Sequence, residues 1–420
     1  MNRTLAISFI CAIQGVGALY YVIFFSDHGY LPAPFFFEKS DTFMDLFHAM
    51  FWANSDGRYT EWASVYPPLN FILLQVISWV FLEGINFQDS FELRDASSSI
   101  AIFFVCMYLI TPIFVFRTTL WDDFSIKEKI LLYLGIVLSI PMLFALERGN
   151  LIIFTLIFLA PVLSKNGIAR SVAISILINI KPYFALLLFY YAIKRQWGDL
   201  LSCVVLAGVI FLITGIFLDY NFLIFLTNLL SFSETENLSF SSREVMTFPS
   251  SISAFSYIFS SEKFLESASY GYWRDFDLTI LATAIELTKW AALVLVFLAL
   301  FSRQSHISDS QIIGILIVVI TNIGIWVGGY SLLLYITLIP VFMSMKYRWV
   351  YLGIVLLIFL PIDIIPIMHK DIGDQYSYLS NADLNVDWAQ GIGGIVRPIL
   401  NFFLLIILCY EVIFKLKYSP

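Results

Sequence analysis

The chain is poor in charged, cysteine and histidine residues. Asp, Glu, Lys and Arg make up 13% of its 420 residues, whereas a soluble domain carries roughly 25%. The few cysteines all fall within apolar stretches, so they indicate neither a disulfide framework nor a metal site. They are Cys11, Cys106, Cys203 and Cys409. There is no His-x-x-x-His spacing, nucleotide-binding loop or basic patch. We therefore predict no metal, no cofactor and no nucleic-acid partner.

Apolar residues dominate what remains. Hydrophobic types account for 60% of the chain, and the mean hydropathy is +0.84. Lipid-exposed backbone must satisfy its own hydrogen bonds, and the ten-residue alternating segments of a membrane barrel are absent. The predicted fold class is therefore an all-α polytopic membrane protein. About twelve apolar segments occur, several of them shorter than the ~20 residues of a full span. They lie near 5–25, 66–82, 97–116, 130–146, 150–164, 170–193, 200–218, 278–301, 311–328, 330–345, 349–367 and 394–414.

Polar loops divide the chain into three parts. An N-terminal module, 1–218, contains the acid-rich loop 26–65, and a long loop occupies 219–277. A C-terminal module, 278–420, contains a second acid-rich loop at 368–393. No internal repeat is visible between the modules.

The charges near the two termini predict the orientation. Arg3 lies at the start of the chain, and Lys415 and Lys417 lie near its end. By the positive-inside rule this side is cytoplasmic, which leaves the three polar loops outside. We therefore expect a plasma membrane protein, in a bacterium the inner membrane, with its site on the periplasmic or extracellular side.

Short basic loops leave two topologies open. The loops 117–129, 165–170 and 194–195 cannot all be cytoplasmic if every apolar segment crosses. Segment 170–193 is interrupted by a proline, which removes a helix hydrogen bond. If this segment is a re-entrant pair of half-helices, and 66–82 also turns back, all three basic loops become cytoplasmic. Plain alternation is the other solution.

The first polar loop carries a group of ionisable residues. Asp41, Asp45 and His48 are spaced i, i+4 and i+7, so in a helix they share one face. Flanking aromatic residues make the stretch amphipathic, as in a helix that lies in the membrane interface. Two carboxylates and an imidazole there could supply a general base. A solvated acidic face explains the same spacing.

Two further motifs stand where apolar segments begin or end. Tyr66 opens the run Tyr66-Pro67-Pro68-Leu69, which is ordinary helix-start chemistry and could also fix the loop against the membrane. Glu147-Arg148-Gly149-Asn150 separates two short apolar segments. It is either a tight turn with neutralising charges or a place where Arg148 binds phosphate or sugar hydroxyls.

Lys181-Pro182-Tyr183 lies in the middle of an apolar stretch. A charged residue at membrane depth is costly and points to a functional site. Lys181 could present a point charge to a lipid-linked phosphate, or it could be a snorkelling lysine beside a proline kink. By contrast, Glu286 and Lys289 are spaced i, i+3 and can simply pair within one helix.

Taken in order, these motifs resemble the GT-C superfamily of integral-membrane glycosyltransferases, and glycosyltransferase family 87 in particular. That family includes mannosyltransferases that depend on polyprenol-phosphate mannose. The resemblance covers roughly residues 1–200. The matching positions are Asp41, the small residues Ala49, Ala53 and Gly57, then Tyr66 to Leu69, Glu147 to Asn150, Lys181 with Pro182, and Lys194, Arg195 and Trp197.

The resemblance implies a GT-C-like bundle of about 10–12 transmembrane helices with external juxtamembrane helices. It also implies inverting transfer of a hexose or mannose-like sugar from a polyprenyl-phosphate donor. The acceptor would be a glycan or glycolipid at the external face. Asp41 would be the general base, with Asp45 as the second candidate. Lys181 and Arg148 would bind the donor phosphate. The substrate-binding residues would be His48, Tyr66, Glu147, Asn150 and Tyr183.

Two other functions remain open. A transporter or flippase of lipid-linked glycans would have polar residues spread through many helices, whereas here they concentrate in external loops. An O-antigen-type polymerase uses a polyprenyl-diphosphate donor and several external arginines. Loop 219–277 contains only Arg243 and Arg274.

Overall fold

The computed structural model of the chain describes residues 3–35, 42–82, 87–218, 221–239, 248–260, 279–324 and 327–414. These residues form helices almost throughout. In the N-terminal half the helices are α1 Arg3–His28, α2 Met44–Ala53, α3 Pro68–Phe81, α4 Ser90–Ala96, α5 Ser98–Val115, α6 Ile126–Val137, α7 Ile140–Arg148, α8 Ile152–Val162, α9 Gly167–Ile180, α10 Phe189–Ile193 and α11 Trp197–Leu218. In the C-terminal half they are α12 Ile224–Ser239, α13 Ser253–Ser260, α14 Thr279–Arg303, α15 Asp309–Asn322, α16 Ile339–Met343, α17 Arg348–Phe359 and α18 Gly393–Phe414.

Five of the described helices are long and apolar enough to cross a membrane. They are α1, α5, α11, α14 and α18. Helices α6 and α7 together make a sixth candidate, bent by 50° between them. The other apolar helices are shorter, at 10–17 residues. The prediction of a largely helical protein is therefore confirmed, and several of its helices are suited to crossing a membrane.

Segment 170–193 folds back on itself. Helix α9 ends at Lys181, which has an extended backbone (φ −139°, ψ 114°), as steric contact with a following proline favours. The chain returns through a 3₁₀ segment, Pro182–Leu188, and α10. The hydroxyls of Ser171 and Tyr191 lie 2.6 Å apart, so the two arms run antiparallel. The segment is therefore a hairpin with Lys181 at its apex, which is the geometry of the re-entrant alternative.

A second hairpin of the same kind follows in the C-terminal half. Helix α15 leads to a turn at Gly328 (φ +68°), and the chain returns through the 3₁₀ segment Gly329–Leu338 and α16. Its arms are antiparallel, because Gly314 lies against Leu338 and Val341. The two hairpins share an architecture without an evident sequence repeat, and α15 packs against the returning arm of the first.

The basic loops lie at one end of the molecule. Arg170 donates to the carbonyl of Ser164 at 2.6 Å, and Lys194 pairs with Asp309 at 3.0 Å. Arg117 and Lys165 line one cavity. The loops 117–129, 165–170 and 194–195 therefore share one end, as the re-entrant solution requires and plain alternation does not.

Helix α3 stays at the opposite end. Near its C-terminus, Ser78 accepts a hydrogen bond from Asn54 at 2.9 Å, and Gln75 donates to the carbonyl of Ala53 at 2.7 Å. The chain then returns to α2, where Ser90 of α4 contacts His48. This course of the chain agrees with the alternative in which 66–82 turns back.

The expectation of an all-α fold is wrong for the acid-rich loop 368–393. This stretch lies within an antiparallel hairpin, β1 Pro366–Ser377 with β2 Ala382–Gly391. In β2 the apolar Leu384 and Val386 alternate with exposed polar residues. This alternation is typical of a strand, but the prediction of a loop considered only the acidic residues. Ser377 donates to the carbonyl of Gly29 at 2.9 Å, which fastens this hairpin to the end of α1.

Candidate functional site

Helix α2 begins at Met44, so of the predicted acidic cluster it includes Asp45 and His48 and begins after position 41. Phe43 adopts a left-handed backbone (φ 61°) immediately before the helix starts at Met44. The helical face predicted for the cluster therefore holds only from Met44 onward, and the assumption that the helix extends back to residue 41 is wrong. Asp41 itself lies outside the described residues, so its role remains a prediction.

Asp45 receives hydrogen bonds on both of its carboxylate oxygens. Arg148 donates to Oδ1 at 2.9 Å, and Asn150 donates to Oδ2 at 2.6 Å. The side-chain carbonyl of Asn150 in turn accepts from the backbone N–H of Ile152 at 3.0 Å. The predicted residues Asp45, Arg148 and Asn150 thus form one hydrogen-bonded unit, although more than 100 positions separate the first from the others.

A glycine turn makes this contact possible. Gly149 adopts φ +67°, and Asn150 N–H bonds the carbonyl of Ala145 at 2.8 Å, as in a Schellman helix end. A Cβ at Gly149 would come within 2.8 Å of Leu46 Cβ. Glu147 is buried, and its carbonyl accepts from Phe43 N–H at 2.7 Å. The turn between α7 and α8 is therefore pressed directly against the start of α2.

Lys181 lies beside the same group. Its side chain is buried, and its Nζ lies 4.6 Å from the centre of the Tyr66 ring. Asp45 is close enough to attract it electrostatically. Among the described residues, no carboxylate lies within ion-pairing distance of Lys181. The ammonium is therefore shielded from water, and none of the described carboxylates is a direct counter-ion for it.

The start of α3 supports the apex that carries Lys181. Pro68 occupies the first turn of α3, and the side-chain amide of Asn70 donates to the carbonyl of Ile180. That carbonyl belongs to the last turn of α9, where Pro182 prevents the helix from continuing. Asn70 was not among the sequence-predicted residues, yet it joins the Tyr66 motif to the Lys181 motif.

Two tyrosines complete the cluster. The hydroxyl of Tyr183 is buried, and among the described residues it has no hydrogen-bond partner. Tyr183 lies within electrostatic range of Tyr66 and of Tyr330. Tyr330 follows the Gly328 turn, so the second hairpin also brings its apex to the site. Sequence reasoning missed Tyr330; the available signal was a Gly-Gly pair that interrupts an apolar run.

His48 points elsewhere. Its Nδ1 lies 2.8 Å from the hydroxyl of Ser90, and its ring stacks on Trp52 with centroids 5.7 Å apart. These contacts are with α4 and with the following turn of α2. The structure therefore brings together Asp45, Glu147, Arg148, Asn150, Tyr66, Lys181 and Tyr183, whereas His48 contacts Ser90 and Trp52.

No protein-family model, no curated protein and no solved structure matches the chain. Function must therefore be argued from the site itself. A guanidinium, an ammonium and several phenols close to one another suit an anionic, hydroxyl-bearing ligand.

Proposed function

We propose that this protein is a membrane glycosyltransferase that transfers a hexose or mannose-like sugar from a polyprenyl-phosphate donor to a glycan or glycolipid acceptor. The observation that carries the proposal is the environment of Lys181. Burying an ammonium without a direct counter-ion costs several kcal/mol. A phosphate anion from the ligand would offset that cost, and a lipid-linked phosphate can reach a site at the apex of a membrane hairpin.

The chemistry is a single inverting displacement. The acceptor oxygen attacks the anomeric carbon, the bond from that carbon to the phosphate oxygen breaks, and the lipid phosphate leaves with the electron pair. Lys181 and Arg148 stabilise the charge that develops on the phosphate. The leaving group is already a weak base, so proton removal from the acceptor is the step that most needs help.

We assign that proton removal to Asp41. Asp45 is less suited to it, because both of its oxygens already accept hydrogen bonds from Arg148 and Asn150. Asp45 instead orients the Arg148 guanidinium, so we assign it a positioning role. The carbonyl of Glu147 holds the turn that carries Arg148 against Phe43.

The aromatic side chains suit the sugar. Tyr66 lies over Lys181, and Tyr183 and Tyr330, from the two hairpin apices, lie near Tyr66. Phenol rings can stack on a pyranose face while their hydroxyls bond its oxygens. Asn150 completes the set of neutral polar groups near the ion pair.

The finer architecture that goes with this function is a GT-C-like bundle of about 10–12 crossings. Its site would lie on the external face of the plasma membrane. Two observations support this orientation: the basic loops gather at one end, and the Asp45–Lys181 cluster lies with α2 and α3 at the other.

The test is turnover by the purified full-length protein in mixed micelles, with a panel of polyprenyl-phosphate sugars as donors and release of free lipid phosphate as readout. Asp41→Asn should lower turnover by about 10²–10⁴-fold. Asp27→Asn changes an exposed carboxylate near the end of α1 and should leave turnover unchanged.

Near-wild-type turnover in Asp41→Asn would sink the assignment of the base. If no polyprenyl-phosphate sugar is consumed, while lipid-linked glycan crosses the bilayer of proteoliposomes, the protein is a flippase and the proposal is wrong. Activity only with diphosphate-linked donors would instead favour a polymerase.

A further inference from the structure

A second candidate site lies at the basic end of the molecule, far from Lys181. It is a cavity of about 370 Å³ between α5, α8 and the start of α9. Arg117 and Lys165 both line it, one just after α5 and the other just after α8. None of the residues discussed for sugar transfer contributes to it.

Two hydroxyls in this cavity lack partners. Thr118 is 8% exposed, and neither its Oγ1 nor the buried Oγ of Ser164 has a hydrogen-bond partner among the described residues. Both residues line the cavity. A buried polar group without a partner costs about 1–3 kcal/mol, so an unpaired pair of hydroxyls beside two cations points to a missing acceptor.

The local field is positive. The N-terminus of α9 adds the positive end of a helix dipole next to Lys165. Arg170 donates to the carbonyl of Ser164 at 2.6 Å, but its charge is met by Asp309 at 3.5 Å. Asp122 and Asp123 belong to the same loop as Arg117, but both are exposed and neither lines the cavity. Two hydroxyl donors and a cationic rim suit phosphate oxygens.

The remaining walls are apolar, which favours a lipid over free phosphate. Phe114 and Ile157 line the cavity, and Ile110 and Ile113 on α5 are exposed just before it. Exposed aliphatic side chains on a membrane-crossing helix contact acyl chains. The phosphate would therefore sit between Arg117 and Lys165 while a hydrocarbon chain follows α5.

From these contacts we propose that the cavity binds the phosphate headgroup of an anionic membrane lipid in the leaflet at the basic end. Basic pockets between transmembrane helices recognise such headgroups by charge and by the adjoining hydrocarbon. The site is independent of the transferase proposal, because its residues lie at the other end of α8 and α9.

The test is native mass spectrometry of the delipidated full-length protein, titrated with phosphatidylglycerol and separately with phosphatidylcholine. Wild type should retain phosphatidylglycerol in preference. The double variant Arg117→Gln/Lys165→Gln should bind it about 30-fold more weakly, at roughly one charge contribution for each cation. Thr118→Val keeps the side-chain shape and should weaken binding by about threefold to tenfold.

The matched control removes two other exposed cations from the basic loops at the same end, as Lys127→Gln/Arg195→Gln. Its affinity for phosphatidylglycerol should stay near wild type. An equal loss in this control would show a general surface attraction and overturn the site. Equal retention of both lipids by wild type, or displacement of phosphatidylglycerol by millimolar inorganic phosphate, would overturn the assignment to an anionic lipid.

Discussion

Two buried lysines in this protein have opposite surroundings. Lys289 on α14 pairs with Glu286 at 2.8 Å and also bonds the hydroxyl of Ser253 and, at 3.3 Å, the carbonyl of Ile323. The ammonium of Lys181 instead lies 4.6 Å from the centre of the Tyr66 ring, and the carboxylate of Asp45 attracts it from farther away. Both are withdrawn from water, so both bear a desolvation cost, but only Lys289 recovers it inside the described structure.

We infer from this difference that Lys289 is a structural cation, whereas the ammonium of Lys181 is available to bind a ligand. The partners of Lys289 come from three elements, so its ammonium holds α13 and the end of α15 against α14. The expectation that Glu286 and Lys289 pair within a helix is confirmed. Lys181 contributes no comparable link, and this makes its burial hard to explain without an external anion.

The largest expected effect is a rise in the donor KM when the Lys181 ammonium is removed. Lys181→Ala should raise the donor KM by about 100-fold or more, since a charge-assisted contact to phosphate is lost. Its Tm should fall little, because no ion pair between described residues is broken. Steady-state kinetics and thermal unfolding of the same preparation check both parts. A lower Tm with an unchanged donor KM would make Lys181 a structural residue like Lys289.

The complementary change should affect stability instead. Lys289→Met leaves Glu286, Ser253 and the Ile323 carbonyl without their donor and should lower stability by about 2 kcal/mol. Glu286 is partly exposed, which limits the loss. The Lys289→Met/Glu286→Gln double variant should recover part of it. A loss of donor affinity in Lys289→Met without a change in Tm would contradict the comparison.

A smaller effect is expected at the ion pair beside Lys181. Asp45→Asn keeps the shape of the side chain but removes the negative charge that orients Arg148, and should reduce kcat/KM by about tenfold. The acidic limb of the pH–rate profile should remain where it is in wild type, because Asp41 is the assigned base. Disappearance of that limb would identify Asp45 as the base.

The smallest effect is expected from a single hydroxyl. Tyr183→Phe removes a buried group that has no partner among the described residues, so Tm should stay constant or rise slightly. Donor KM should increase by about threefold to tenfold. The control is Tyr190→Phe at the other end of the same hairpin, where the hydroxyl bonds Arg170. That variant should lose stability and keep its donor KM; the reverse pattern would contradict the assigned positions.

The sequence predicted those site residues whose chemistry is unusual for their surroundings. Arg148 and Lys181 stand out because charge is costly in apolar stretches, and the structure brings both to Asp45. It did not predict Tyr330, because the Gly328-Gly329 pair before it marks a turn without showing that the turn reaches Tyr66 and Tyr183. The orientation of the His48 side chain depends on its contact with Ser90 of α4. The residue at which α2 begins depends on the hydrogen bond from Phe43 N–H to the carbonyl of Glu147. Such contacts between distant segments have no local signature.

The same reasoning explains the errors in the fold. The break at Lys181-Pro182 could be predicted because a proline removes a backbone hydrogen bond of the helix. The β1–β2 hairpin was missed because its acidic residues suggested a solvated loop, although Leu384 and Val386 already alternated with polar neighbours. Its stability depends on docking to Gly29, which the sequence did not reveal.

The most direct test of the central claim is equilibrium binding of a polyprenyl monophosphate to the purified full-length protein. Wild type, Lys181→Arg, Lys181→Ala and Lys289→Met should be compared in the same micelles. The Lys181 assignment predicts saturable binding by wild type, partial retention in Lys181→Arg, and about 100-fold weaker binding in Lys181→Ala. Folded Lys289→Met should bind as wild type does. Equal affinity of Lys181→Ala and wild type would contradict the claim that Lys181 binds the lipid phosphate.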